Sequence, residues 1–443
     1  MTEEHILYGN ETKKALDNFP HSGLPKHLYF YKAYAEVKLA CALVNKELGY
    51  LEHQIADPLI KALHEMIEGQ WFENFITDPI QGGAGTSTNM NINEIAATRA
   101  TALLDKTGFL VDPLLHVNLH QSTNDTYPTA LKIAIYYFLT DLETAINELL
   151  QTFQAKEIEF AKVVKIARTQ LMPAVPYTLG REFGAFSDVI GRDRWRIFKS
   201  MERIRQVNLG GTAIGTGIAA PKKYILSVVD KLREITKLPL AKAENLVDAT
   251  QNHDQIAEAF GMLKVYAMNL EKIVNDLRLL ISYNEIQVPS VQLGSSIMPG
   301  KENPVILEMV SMVAKKVMGN ELTATLAISG GELELNAFLP LVAITIFESL
   351  DLLIQSTRIL THKCIPAIKA NDSVCYLNLI HTPASSTLLM PRIDYHKATL
   401  VAEFMKKNNL NLKEAVLEKT DISEAELNDL MKPERITSLG YGK

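Results

Sequence analysis

Hydroxyl and amide side chains are concentrated in three segments of this 443-residue chain, each suited to holding a small anion. The first, Gln81-Gly-Gly-Ala-Gly-Thr-Ser-Thr-Asn-Met-Asn-Ile-Asn-Glu94, sets three glycines before a run of donors. Glycine lets backbone approach a ligand closely, and the side chains that follow can donate several hydrogen bonds to it. The same residues favour an N-cap, here of a helix beginning near Asn91, so alone the segment fits a turn as well as a site. The second, Gln121-Ser-Thr-Asn-Asp-Thr126, lies just before a long helical stretch. A helix N-terminus offers free N–H groups and a positive dipole end, which suit a carboxylate, although taken alone this segment also reads as an N-cap. The third, Gly294-Ser-Ser-Ile-Met-Pro-Gly-Lys-Glu-Asn-Pro304, places two serines, a lysine and an asparagine in a stretch interrupted by Gly and Pro. A loop that moves over a ligand while carrying a proton acceptor and a cation is the kind of element that closes active sites.

The elements that must position these segments are helices. From Thr129 to Leu171 there is no Gly and no Pro, and Ile133, Tyr136, Tyr137, Leu139, Leu142, Ile146, Leu149, Leu150 and Phe153 recur at three- and four-residue spacing. This predicts one amphipathic helix of about 60 Å, too long to stand without partners alongside. Further helices are expected at Pro176–Val207, Pro221–Thr236, Asp254–Ser282, Pro304–Ala327 and Phe338–Leu360, enough for an antiparallel bundle. Strict apolar/polar alternation is scarce, so the expected fold class is all-α, mainly helical. Turn-rich residues before Pro128 and short, Pro-broken helices after Val374 divide the chain into an N-terminal helical domain (1–128), a central long-helix bundle (129–374) carrying the 294–304 loop, and a small C-terminal helical domain (375–443).

Composition narrows the function. A net charge of −6 and no Lys- or Arg-rich run argue against nucleic-acid binding. Three widely separated cysteines, Cys41, Cys364 and Cys375, form neither a disulfide framework nor a CxxC site and fit a reducing compartment. The start MTEEHILYGNETKKAL is acidic and polar, unlike a signal peptide, and no uninterrupted run of about 18 apolar residues occurs. A cytoplasmic protein that meets no membrane is expected. His116 and His120 are spaced to share a helix face, but without a third ligand nearby they read as structural histidines, and no metal or cofactor is expected. Gly210–Gly217 looks superficially like a phosphate loop but lacks the Gly-Lys-Ser/Thr ending.

The third segment is also specific as a string: Gly294-Ser-Ser-Ile-Met-Pro-Gly-Lys301-x-Asn303-Pro resembles the signature loop of the aspartase/fumarase superfamily. The first two segments resemble that family's other active-site regions, in the same order. Further matches run through Leu7–Thr12 and Asn18-Phe-Pro20, Arg168-Thr-Gln170 with Ala174–Gly180, Gly210–Gly217, Ala243–Leu246, Asn275–Leu279 and Glu334-Leu-Asn336, so the resemblance covers nearly the whole chain. It implies a three-domain subunit whose long helices form the helical core of a homotetramer, each active site being shared by three chains. It also implies a small dicarboxylate substrate, with L-aspartate converted reversibly to fumarate and ammonia by anti elimination through an aci-carboxylate. By this resemblance Ser295 is the general base, while Thr86, Ser122, Thr123 and Ser296 surround the aci-carboxylate. Lys301 and Asn303 hold the other carboxylate, and Asn124 and Thr169 lie near the leaving amine.

Fumarases resemble one another in having His where Gln170 stands, and they usually pair it with a glutamate whose counterpart is Glu308. Gln170 cannot relay a proton, which favours an amine over water as leaving group. Three departures from the family pattern bear on substrate and turnover. Leu280-Ile-Ser-Tyr-Asn284 joins two motifs directly where relatives have a longer Gly-Pro-Arg turn, Glu302 replaces an apolar residue, and Met172-Pro173 replaces Gln-Asp. The competing expectations are a fumarase or another C–N or C–O lyase acting on a substituted succinate, and an aspartase-like scaffold protein without turnover.

Overall fold

The computed structural model describes residues 6–104 and 108–440; the first five residues of the acidic start lie outside them. In chain order, the N-terminal part carries α1 (Asn10–Asn18), α2 (Leu28–Glu47), α3 (His53–Ile67) and α4 (Thr86–Leu103). Then come α5 (Thr123–Glu159), a hairpin of β1 (Val164–Thr169) and β2 (Met172–Thr178), and α6 (Leu179–Ile204). The short strand β3 (Gln206–Val207), α7 (Lys222–Thr236), β4 (Ala241–Lys242) and α8 (Leu246–Gln251) lead to α9 (Asp254–Ser282) and β5 (Ile286–Gln287). Two long helices follow, α10 (Val305–Ser329) and α11 (Leu339–Ile359). Strand β6 (Lys369–Ala370), α12 (Asp372–Ile380), α13 (Tyr395–Asn408), α14 (Leu412–Lys419), α15 (Glu424–Leu430) and α16 (Pro433–Ile436) complete the chain. The fold is mainly helical, as expected; among the described residues the strands form only two-stranded sheets, β1 with β2 and β5 with β6 antiparallel, β3 with β4 parallel.

The chain divides into two compact units. One comprises residues up to Glu143, Trp195–Ala267 and Lys315–Ile354; the other comprises Thr144–Arg194, Met268–Ala314 and everything from Gln355 onward. In the first, Leu131, Ile133, Ala134, Ile135, Leu139 and Leu142 of α5 are all buried, a wider apolar stripe than one helix face and the mark of a helix enclosed by others. In the second, Phe153, Phe160, Phe183 and Phe186 pack ring against ring. Its C-terminal part has its own small core of Leu389, Val401, Met405, Leu412, Val416, Ile422 and Leu427. Helix α11, continued to Ala367, is long and apolar enough to cross a membrane, but most of that stretch is buried inside the protein.

The long helix departs from expectation at both ends. It starts at Thr123, so Pro128 lies inside it. A proline there is tolerated because the carbonyl that loses its helical donor, that of Asn124, accepts a hydrogen bond from Asn208 Nδ2 at 3.0 Å. It ends at Glu159 because Val164 and Ile166 are β-branched and pair with a strand containing Pro173 and Pro176, so residues up to Leu171 turn into a hairpin. Residues Pro176–Thr178 likewise belong to β2, and α6 starts only at Leu179. By contrast, α9 has the expected bounds.

The N-terminal segment is tied down by one carboxylate. Glu94 on α4 accepts the N–H groups of Gly9 and Glu11 at 2.8 Å and of Thr12 at 3.1 Å, and the Thr12 hydroxyl at 2.6 Å.

Candidate active site

Of the three polar segments, the first two meet in the first unit. Thr86 is the first residue of α4, five residues earlier than expected, and its Oγ1 donates to the Gly83 carbonyl at 2.7 Å across the glycine turn. One turn on, Asn89 donates to Asn118 Oδ1 at 3.1 Å and its Oδ1 lies 3.4 Å from the Thr126 hydroxyl, which joins α4 to the start of α5.

That start is built like a reciprocal cap. The Asn124 N–H donates to Ser122 Oγ at 3.2 Å, and the Ser122 N–H donates to Asp125 Oδ1 at 2.9 Å. The N-cap and ligand-site readings of this segment therefore coexist, because a hydroxyl that accepts from the backbone still has its proton to donate outward. Thr123, buried, is the first helical residue. Asn124 Nδ2 donates to the Ala213 carbonyl at 2.7 Å, which assigns the two ends of the amide.

Two buried charged groups, neither singled out from sequence, brace this turn. Asp125 is fully buried, and its Oδ2 accepts the N–H groups of Gly210 at 3.0 Å and Thr212 at 3.1 Å. Burial pushes its carboxyl up to about 6, against the pull of these backbone donors and Lys38. Lys38 of α2, also fully buried, donates to Gln121 Oε1 at 2.9 Å and Asn118 Oδ1 at 3.0 Å, and burial pushes its amine down to about 7. The sequence signal for it was a lone lysine in the otherwise apolar run Val37–Leu43. The Gly210–Gly217 stretch thus serves as the brace of a neighbouring turn, with Thr212 itself in the left-handed region at φ 55°.

His116 and His120 do not share a helix face. Helical turns end at Val117, and His120 has φ 61°, a conformation incompatible with a continuing helix. His116 Nδ1 accepts the Asp112 N–H at 2.8 Å, and His120 Nδ1 is 2.7 Å from Asn45 Oδ1.

The remaining site residues belong to the second unit. Thr169 closes β1 and Gln170 begins the hairpin turn, both exposed. The 294–304 loop is an irregular connection whose base is pinned: Asn303 Nδ2 donates to the Gly294 carbonyl at 2.7 Å. Only glycine fits at 294, since a Cβ there would lie 2.1 Å from the Lys301 carbonyl oxygen. Ser295 Oγ accepts the N–H groups of Met298 at 2.9 Å and Ile297 at 3.2 Å. Two backbone donors on one hydroxyl oxygen stabilise negative charge there, which is what a serine needs to act as a base. Ser296, Lys301 and Glu302 are exposed on the same loop.

Comparison with known proteins agrees with this architecture. Residues 3–319 match the family model described as lyase, and residues 386–438 match that of the fumarase C C-terminus. Aspartate ammonia-lyase of Helicobacter pylori is 40% identical over 98% of this chain and 95% of its own length. The crystal structure of a fumarate lyase:delta crystallin from Brucella melitensis superposes with a TM-score of 0.93 at 38% identity, covering 98% of this chain and 96% of its own. A class II fumarase from Schistosoma mansoni gives 0.91 at 30% identity, over 99% and 96%. Matched along almost its full length in sequence and in fold, the chain belongs to the lyase family of the aspartase/fumarase superfamily.

Proposed function

We propose that this lyase is an aspartate ammonia-lyase, converting L-aspartate reversibly to fumarate and ammonia in the cytoplasm. The observation that carries the choice of amine is the Asn124 amide: with Nδ2 committed to Ala213, Oδ1 is an acceptor, which suits an ammonium better than a hydroxyl that must be protonated to leave. The names of the curated relatives and the Gln at 170 point the same way.

In the proposed mechanism Ser295, its oxygen held by the Ile297 and Met298 N–H groups, removes the Cβ proton of bound aspartate. The aci-carboxylate that forms is stabilised by donors from Thr86, Ser122, Thr123 and Ser296, and the amine departs anti to the proton beside Asn124, Thr169 and Gln170. Thr86 must first give up its bond to Gly83. Lys301 and Asn303 orient the other carboxylate.

The assembly we propose is a homotetramer with each site shared by three chains. Met268 and Leu279 of α9 and Met312, Leu322 and Leu326 of α10 are large apolar side chains left exposed on long helices, which supports burial against further copies. All three cysteines are buried and unpaired, in keeping with a cytoplasmic setting.

Incubation with aspartate, with malate, and with fumarate plus ammonia, following the ultraviolet absorbance of fumarate, tests the reading. Aspartate turnover that falls by about 10³-fold or more in Ser295→Ala is expected. Malate turnover alone would point to a fumarase, and inertness towards all three to a scaffold protein.

A further inference from the structure

The β1–β2 hairpin carries Thr169 and Gln170 at its tip, where a two-residue turn joins paired residues Thr169 and Met172. Both turn residues are left-handed, Gln170 at φ 52° and Leu171 at φ 63°. Such a turn is normally Asn-Gly; Gln and Leu adopt it only where the surroundings over-determine it.

What over-determines it lies at the base. The register shifts between Ile166 and Arg168, a bulge of the kind that re-aims a side chain. The Arg168 guanidinium lies 3.8 Å from the centre of the Tyr283 ring and pairs with Glu285 Oε1 at 2.8 Å. Glu285 is fully buried; it also pairs with Lys165 at 2.9 Å and accepts from Asn378 Nδ2 at 3.2 Å. Ring and carboxylate contacts together fix a planar guanidinium in both position and tilt, which a lysine could not reproduce. Tyr283 and Glu285 stand in the tight turn off α9, where the Glu285 N–H donates to the Leu280 carbonyl and Asn284 is left-handed at φ 55°. By the resemblance drawn from the sequence, this is the connection expected to be shorter than in the family pattern.

We propose that Tyr283 and Glu285 clamp Arg168 to set the aim of Thr169 and Gln170, which makes Tyr283 and Arg168 positioning residues for departure of the amine. The kinetic part rests on the aspartate reading above; the clamp itself does not. Removing Glu285 would strand buried cations and endanger folding, so Tyr283 is the position to vary.

Hydrogen exchange of full-length wild type, Tyr283→Ala and Tyr283→Phe reads the clamp without any substrate. In Tyr283→Ala the amides of Thr169 and Met172, the last pair of the ladder before the turn, exchange about tenfold faster or more, with Tyr283→Phe like wild type because the ring remains. With aspartate, kcat per folded enzyme falls about tenfold or more in Tyr283→Ala while KM changes less, and Tyr283→Phe restores it. Unchanged tip exchange in Tyr283→Ala, or a Phe variant as impaired as the Ala variant, would overturn the proposal. So would a lower melting temperature with kcat and tip exchange intact, which is the pattern of a purely structural ring. A wild type inert towards aspartate would sink the substrate reading, and the exchange experiment would still decide the clamp.

Discussion

Replacing Asp125 by Asn separates stability from function at the start of α5. The carboxyl is raised from 3.8 to about 6, so at pH 8 its ionised form costs the folded state roughly 3 kcal/mol, about two units at ~1.4 kcal/mol each. That cost already includes the three N–H bonds and is returned by a neutral side chain. An Asn can turn its oxygen to Gly210 and Thr212 and keep two bonds, but its NH2 then faces the Ser122 N–H, an orphaned donor costing ~1–3 kcal/mol. The two effects nearly cancel. We expect Asp125→Asn to melt at pH 8 within about 2 kcal/mol of wild type, or slightly above it, and to lose the excess as pH falls below 6, where Asp125 itself is protonated. Locally, the freed Ser122 N–H loosens the turn that presents Ser122, Thr123 and Asn124, and kcat/KM for aspartate should fall by on the order of 10- to 100-fold. Thermal melting across pH, hydrogen exchange at residues 122–124 and steady-state kinetics together make the assay. A variant that melts far below wild type at pH 8 while Ser122 stays protected and activity persists would refute the reasoning.

Pro128 inside α5 predicts a double-mutant cycle: Asn208→Ala orphans the Asn124 carbonyl and should cost ~1–3 kcal/mol, but less in a Pro128→Ala background, where a restored N–H can bond that carbonyl. Equal costs in both backgrounds, measured by denaturant unfolding, would rule the account out. Lys38, with its amine lowered to about 7, binds fewer protons folded than unfolded, so it makes stability rise with pH above 7, by up to ~1.4 kcal/mol per unit. Between pH 7 and 8 Lys38→Met should flatten that rise in melting temperature, whereas an unaltered slope would mean the amine titrates normally.

The bundle was legible because burial imposes a 3.6-residue period, and α9 shows it without interruption from Asp254 to Ser282. The ends of α5 were not. Pro128 looks like a boundary unless Asn208, far along the chain, is known to satisfy the carbonyl it frees, and the run Val163–Ile166 contains no Gly or Pro to announce a hairpin. The polar segments of the site stood out as clusters of hydroxyl and amide groups. Their braces did not: Asp125 meets Gly210 across 85 positions, and Lys38 meets Gln121 across 83, pairings that only tertiary structure creates.

The grip of Glu94 on the N-terminal segment has an evolutionary corollary. Three of its four donors are main-chain amides, which every residue but proline supplies, so most side chains between Gly9 and Glu11 are free to drift without loosening the hold. Two positions are not: Thr12, whose hydroxyl is the fourth donor, and Gly9, where even an alanine methyl would press to 2.8 Å from the Glu94 carboxylate. Homologous chains should therefore vary at 10 and 11 and hold fast at 9, 12 and 94.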